Sequence, residues 1–251
     1  MRESARFIMS RAANYIWDKT GVKIELSRKR AHKWGGGSDR LCYQQQYVKF
    51  NITPDERVLD IGNGGYPFPY ATIVADRFLE KSPSRYEGLV TGNKPFVMAD
   101  IHDLAFRDKA FDFIYCSHVL ELVENPLRAC KEIMRVGKRG YIETPTLAKD
   151  GLFAWAKNLQ KWHVVAIAQN LCFFEYSERQ SEGIKSSAWR ELIFSEWHHP
   201  LQEIFYDNQD LFNVMFTWVG GFSAFVFRLD GTVQVLNGQI EFFRGNSHPH
   251  L

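Results

Sequence analysis

The chain has 251 residues, 45% of them hydrophobic, and a formal charge of +2 from 31 Lys and Arg against 29 Asp and Glu. That length suits one large α/β core with a small accessory element better than two full domains. The four cysteines are too scattered for a disulfide framework, which points to a reducing, cytoplasmic setting, and no stretch reaches the roughly 20 uninterrupted apolar residues of a membrane helix.

Residues 3–18 set Phe7, Ile8, Ala12, Tyr15 and Ile16 on one helical face, while Arg2, Glu3, Arg6 and Arg11 break every apolar run too often for a secretion signal. Basic residues then concentrate at Arg28-Lys29-Arg30-Ala31-His32-Lys33, which fits a solvated basic segment or a phosphate contact. Trp34-Gly35-Gly36-Gly37-Ser38-Asp39 is read as a flexible turn, and Asp39 is expected to open a second helix through Tyr43, Tyr47 and Phe50. Residues 1–50 are therefore expected to form a helical cap, and residues 51–251 the main domain.

Strand one, Val58 to Ile61, runs into Gly62-Asn63-Gly64-Gly65, where glycines let the backbone turn tightly and approach a ligand. Strand two is Thr72 to Asp76. The crossover between them is close to the roughly 10–12-residue minimum of a parallel βαβ unit, and Pro67 and Pro69 suit only a first helical turn, so its helix is expected to be short. Asp76 is the expected acid at the tip of strand two, with Glu80 as the fallback.

Strand three, Phe96 to Ala99, ends at Asp100-Ile101, and strand four, Phe111 to Cys116, ends at Ser117-His118. A helix over Pro126 to Val136, strand five over Tyr141 to Glu143 and a helix from about residue 147 complete the alternation of a doubly wound sheet. Apolar runs ending in an acid, a glycine or a small polar residue are how buried parallel strands deliver ligand-binding groups to their carboxyl edge.

After residue 150 the chain becomes aromatic and the period shortens to two. Trp162 to Ala168 and Leu171 to Tyr176 flank Gln169-Asn170, read as a hairpin turn. Strands over Asn213 to Val219, Phe222 to Leu229, Thr232 to Leu236 and Gln239 to Phe243 are separated by Gly220-Gly221, Asp230-Gly231 and Asn237-Gly238, of which Asp-Gly and Asn-Gly are strong hairpin signals. His198-His199 has no further ligand at metal spacing, so no metal is expected.

From about Asn51 to Thr146 the sequence resembles the class I S-adenosylmethionine-dependent methyltransferases, and among them the type 11 group. The resemblance is carried by Asp60-Ile61-Gly62-Asn63-Gly64, Asp100-Ile101-His102-Asp103-Leu104 with Phe111-Asp112, Ser117-His118-Val119-Leu120-Glu121-Leu122 with Glu124-Asn125-Pro126, and Gly140-Tyr141-Ile142-Glu143-Thr144-Pro145 after Arg135-Val136. It departs at Leu122, where that family often has a second histidine.

The resemblance implies an α/β fold with a mostly parallel Rossmann-like sheet. One C-terminal hairpin would join the sheet as an antiparallel pair, and the others would form an added β layer. It implies S-adenosylmethionine as cofactor, with Gly62, Asn63 and Gly64 lending backbone groups to the amino-acid end and Asp60 attracting the ammonium. Asp76 would take the ribose hydroxyls, Asp100 the adenine amine with Ile101 on the ring, and Ser117 would stand near the methionine part. Methyl transfer from an activated sulfonium needs chiefly proximity in a dry cavity. Where the acceptor must lose a proton, His118, Glu143 and His163 are the candidate bases.

The acceptor is expected to be a small molecule, roofed by the N-terminal helices and the hairpin from Trp162 to Tyr176. A non-catalytic interaction module, or an RNA methyltransferase led by residues 28–33, are the competing readings.

Overall fold

The structure is a computed structural model that describes residues 37–80, 88–153, 160–177 and 200–239, together with Tyr15 and residues 18–21. Most of the expected first helix, the basic segment 28–33, His198-His199 and the body of the fourth C-terminal strand lie outside the described residues.

A first helix, α1 (Gly37–Tyr47), precedes the parallel strands β1 (Val58–Ile61), β2 (Ile73–Asp76), β3 (Phe96–Met98), β4 (Phe111–Ser117) and β5 (Gly137–Pro145). These order as β3-β2-β1-β4-β5, and β8 (Asn213–Val219) closes the six-stranded sheet antiparallel to β5. Between β4 and β5 runs α2 (Pro126–Val136), with Pro126 in its first turn and the Asn125 side chain accepting the Arg128 N–H at 3.0 Å. β5 is followed by α3 (Leu147–Phe153), and α4 (Pro200–Asp207) and the short α5 (Gln209–Phe212) lead into β8.

Alternation along β4 divides the core in two. Ile114 and Cys116 face α2, where they join Ala129, Cys130 and Ile133 in one apolar cluster. Phe113 and Tyr115 face the other way and pack with Phe50, Phe68 and Tyr141. That second face explains the crossover after β1. No helix forms between β1 and β2; instead the Pro67-Phe68-Pro69 turn drops the Phe68 ring onto Tyr115, with centroids 4.0 Å apart and planes 7° from parallel, and edge-on to Phe50 at 5.3 Å. The helix expected to be short is absent because two prolines withhold its N–H donors, and stacked aromatic rings cover the sheet in its place.

A second sheet of order β10-β9-β7-β6 contains β6 (Trp162–Ile167), β7 (Asn170–Glu175), β9 (Ser223–Phe227) and β10 (Val233–Leu236). Its inner residues Trp162, Val164, Leu171, Phe173, Ala224 and Val226 merge with the α2 side of the main core.

Three expectations change here. Pairing of Ile167 with Asn170 puts the β6–β7 turn on Ala168-Gln169, one residue earlier than expected, with Ala168 at φ +52°. Gly220-Gly221 is not a hairpin turn but the passage between sheets, since β8 pairs with β5 while β9 pairs parallel to β7 and antiparallel to β10. Among the described residues one strand, not a hairpin, therefore completes the main sheet, whereas the Asp230-Gly231 turn between β9 and β10 forms as expected. Finally, Trp162 does not wall a cleft: it is 2% exposed and its indole N–H donates to the Val123 carbonyl at 2.7 Å. Among the described residues no helix is long and apolar enough to cross a membrane.

Candidate cofactor and acceptor site

The glycine loop leaves β1 at the carboxyl edge of the sheet. Gly62 has φ +72°, its N–H donates to the Ala75 carbonyl at 2.7 Å, and a Cβ there would overlap Val119 Cγ2. The position needs glycine both for its backbone angle and for the close approach of the β4 exit. Asn63 donates from its side-chain amide to the Val90 carbonyl at 2.7 Å, while its Oδ1 is buried with no hydrogen-bond partner among the described residues. The Gly64 N–H points to Asp76 Oδ2 at 3.2 Å, and Asp76 Oδ1 accepts the Phe78 N–H at 2.8 Å, so the acid at the tip of β2 also shapes the loop.

Asp60 lies on the α1 face of β1, 1% exposed, and accepts the Phe68 N–H at 2.7 Å. Burial pushes its carboxyl up to about 7, against the pull of that N–H and of Arg40. Past β3, Asp100 Oδ1 accepts the His102 backbone N–H at 2.9 Å and stands 2.6 Å from His102 Nδ1, while Oδ2 is 3.5 Å from Arg77 Nε. Partial burial acts to raise the Asp100 carboxyl, but the His102 bonds and Arg77 prevail and hold it below its ordinary value. Ile101 is buried in the core beneath.

A second polar group of residues gathers where β4 and β5 end. Register sets Ser117 opposite Glu143. Glu143 is fully buried and accepts from Tyr43 Oη at 2.7 Å, Gln44 Nε2 at 2.9 Å, Ser117 Oγ at 3.2 Å and Tyr141 Oη, with His118 Nε2 at 3.1 Å. Burial opposes its charge, yet His118, Arg40 and Lys149 hold the carboxyl far below its ordinary value. His118 sits in the left-handed region at φ +58°, its backbone N–H on the Glu143 carbonyl at 2.8 Å and its Nδ1 3.5 Å from Glu121 Oε1.

Lys149, from α3, lies 3.4 Å from His118 Nε2 and donates to Asn213 Oδ1 at 2.6 Å, an amide itself held by Gln209. Burial lowers the Lys149 ammonium to about 8. Next to it, Asp150 accepts the Tyr176 hydroxyl at 2.8 Å, and burial raises its carboxyl to about 6.

The fold thus brings Ser117, His118 and Glu143 into contact and sets Gly62, Asn63, Gly64 and Asp76 in one loop system. His163 is not part of either group: its ring packs against Phe174 and Tyr176 in the second sheet, and its Nδ1 is buried without a partner among the described residues. Sequence reading missed Tyr43, Gln44 and Lys149. The available signal was Tyr141-x-Glu143 itself, because an acid on the buried face of a strand requires donors from elsewhere.

Residues 70–142 match the methyltransferase-domain family. Cycloartenol-C-24-methyltransferase 1 of Oryza sativa subsp. japonica is 30% identical over 126 residues, which is 44% of this chain and 37% of that protein. The chain therefore spans little more than a third of that curated relative. Among solved structures, the YcgJ protein of Bacillus subtilis is 22% identical over 43% of this chain and 51% of its own, with a TM-score of 0.34. A putative methyltransferase solved in complex with a methyltransferase activator from Haloferax volcanii is 12% identical over 84% and 94%, with a TM-score of 0.45.

Proposed function

We propose that this chain, whose residues 70–142 match the methyltransferase-domain family, transfers a methyl group from S-adenosylmethionine to a small-molecule acceptor. The carrying observation is the loop Gly62-Asn63-Gly64, pinned between the Ala75 carbonyl and the Asp76 carboxylate at the strand edge where open α/β sheets bind ligands. Two features fit the cofactor: a buried Asn63 Oδ1 with no hydrogen-bond partner among the described residues, and two acids at the strand edge, Asp76 at the end of β2 and Asp100 just past β3.

In this reading the loop and Asn63 meet the amino-acid end, Asp76 the ribose, Asp100 and Ile101 the adenine, and Ser117 the methionine side. Asp60 folds the loop through Phe68 and sets a titratable charge beneath the cofactor's ammonium. When bound, the cofactor supplies a methyl group already activated for in-line displacement, so the chain has to orient the acceptor and exclude water.

Proton handling falls to the β4 and β5 exits. Glu143 is committed to five donors and held ionised, which makes it an anchor and a poor base. Lys149, brought near neutrality and in reach of His118, is the group suited to take a proton from the acceptor, and His163 has no part. Calorimetry on the full chain tests the reading: S-adenosylmethionine should bind one to one with a dissociation constant below about 100 µM. Failure to bind at about 1 mM would overturn it.

A further inference from the structure

The loop after β3 carries an imidazole whose two nitrogens face two different elements. Nδ1 of His102 is 2.6 Å from Asp100 Oδ1, and Nε2 is 3.2 Å from the backbone N–H of Asn125, the residue that caps α2. A backbone N–H can only donate, so Nε2 accepts, and the ring proton must sit on Nδ1, where it is donated to Asp100. The backbone N–H of His102 reaches the same Oδ1 at 2.9 Å, which fills that oxygen. Oδ2 is then turned outward, with Arg77 Nε at 3.5 Å. The imidazole is itself covered, its side chain 14% exposed against 37% for Asp100, and its own carbonyl is held by Arg128 Nε at 2.8 Å.

We propose that His102 is a positioning residue: clamped between Asp100 and the N-terminus of α2, it aims Asp100 Oδ2 at the exocyclic amine of the cofactor's adenine, so that selection of the base depends on it. Deleting the ring leaves Oδ1 with only the backbone N–H of residue 102, so that the carboxylate turns more readily about its terminal bond. Arg77, whose side chain is 60% exposed, can then draw both oxygens into a surface ion pair. Selection should suffer specifically, because an amine at the purine 6-position donates to Oδ2, whereas a 6-oxo group sets oxygen against oxygen and is rejected. The inference rests on the cofactor reading above.

The test is calorimetry with two probes, S-adenosylhomocysteine and its deaminated analogue S-inosylhomocysteine, the readout being the ratio of their affinities. The natural chain should favour the adenosyl compound by about 10-fold or more. His102→Phe keeps a ring of similar shape without nitrogens and should shrink the ratio to about 3-fold or less, while His102→Asn restores an N–H near the Nδ1 position and should keep most of it. Thermal melts confirm that each variant is folded. A folded His102→Phe protein with the natural ratio, or a His102→Asn protein that loses it, overturns the role of His102; if His102→Phe does not fold, His102→Asn decides alone. Asp100→Ala separates this from failure of the premise, since a natural ratio in that variant means that the acid does not face adenine at all.

Discussion

Glu143 shows how one residue ties the candidate site to the fold. A fully buried carboxylate is tolerated only because Tyr43, Gln44, Ser117, Tyr141 and His118 all converge on it. Glu143→Gln turns part of that acceptor into a donor facing hydroxyls and leaves Lys149 and Arg40 without their counter-charge, so urea unfolding should show a loss of about 3–5 kcal/mol. Tyr43→Phe, which removes one donor, should cost less, about 1.5–3 kcal/mol. An unchanged midpoint for Glu143→Gln would mean that the network does not hold the strand exits. Gly62 is constrained twice over, by its positive φ and by Val119. Gly62→Ala should cost about 1–3 kcal/mol and weaken cofactor binding, and Val119→Ala should recover only the steric part. Full recovery in the double variant would show that the backbone angle carries no strain. The acid and the glycine were both legible in the sequence. The partners of Glu143 were not, because Tyr43 and Gln44 stand about a hundred positions away on a helix whose tyrosines read as an apolar stripe.

At the level of elements, period and turn chemistry located β1 to β5 and α2 because the central strands β1, β2 and β4 are buried on both faces and α2 carries its own cap. They failed where pairing is non-local. Gly220-Gly221 has the composition of a turn whether the strands on either side pair with each other or with distant partners, and only β5 and β7 decide between these. The β6–β7 turn slipped by one residue because Ala168, a residue without turn preference, takes the positive φ. The expected place of Trp162 in an acceptor lid fails for a related reason, since large aromatics mark core and cleft alike. With its ring in the core cluster and its N–H on Val123, Trp162→Ala should cost about 3–5 kcal/mol while S-adenosylmethionine still binds the folded fraction with natural affinity. Trp162→Phe should cost much less, chiefly the one hydrogen bond. A stable Trp162→Ala protein with impaired binding would return the hairpin to the site.

Across the whole molecule, the buried ionisable groups set an unusual dependence of stability on pH. Glu143 is held below its ordinary 4.5, so the stability it contributes is present above about pH 4.5 and is lost as pH falls. Asp60 is the opposite case. Its folded value of about 7 exceeds the ordinary 3.8, so the folded state binds the extra proton, and the stability this confers is full below 3.8 and lost as pH rises through 7. Asp150, raised to about 6, acts in the same direction. Lys149 falls from 10.5 to about 8, so between those values the unfolded chain holds more protons and stability rises again with pH. Urea unfolding should therefore find a maximum near about pH 4, a minimum near about pH 7.5–8 and a recovery toward about pH 10, where many proteins are most stable between about pH 5 and 8. The full descent from Asp60 alone, between 3.8 and about 7, is on the order of 4 kcal/mol at about 1.4 kcal/mol per pH unit. Asp60→Asn should flatten the descent, and Lys149→Met should remove the alkaline recovery. A natural chain whose stability is level or rising between pH 5 and 7.5 would refute the buried, proton-holding Asp60. The same charge gives the cofactor reading a signature of its own. S-adenosylmethionine brings a sulfonium and an ammonium to the ionised carboxylate, so its stabilising effect on the chain should be larger at pH 7.5 than at pH 5, and the difference should vanish in Asp60→Asn.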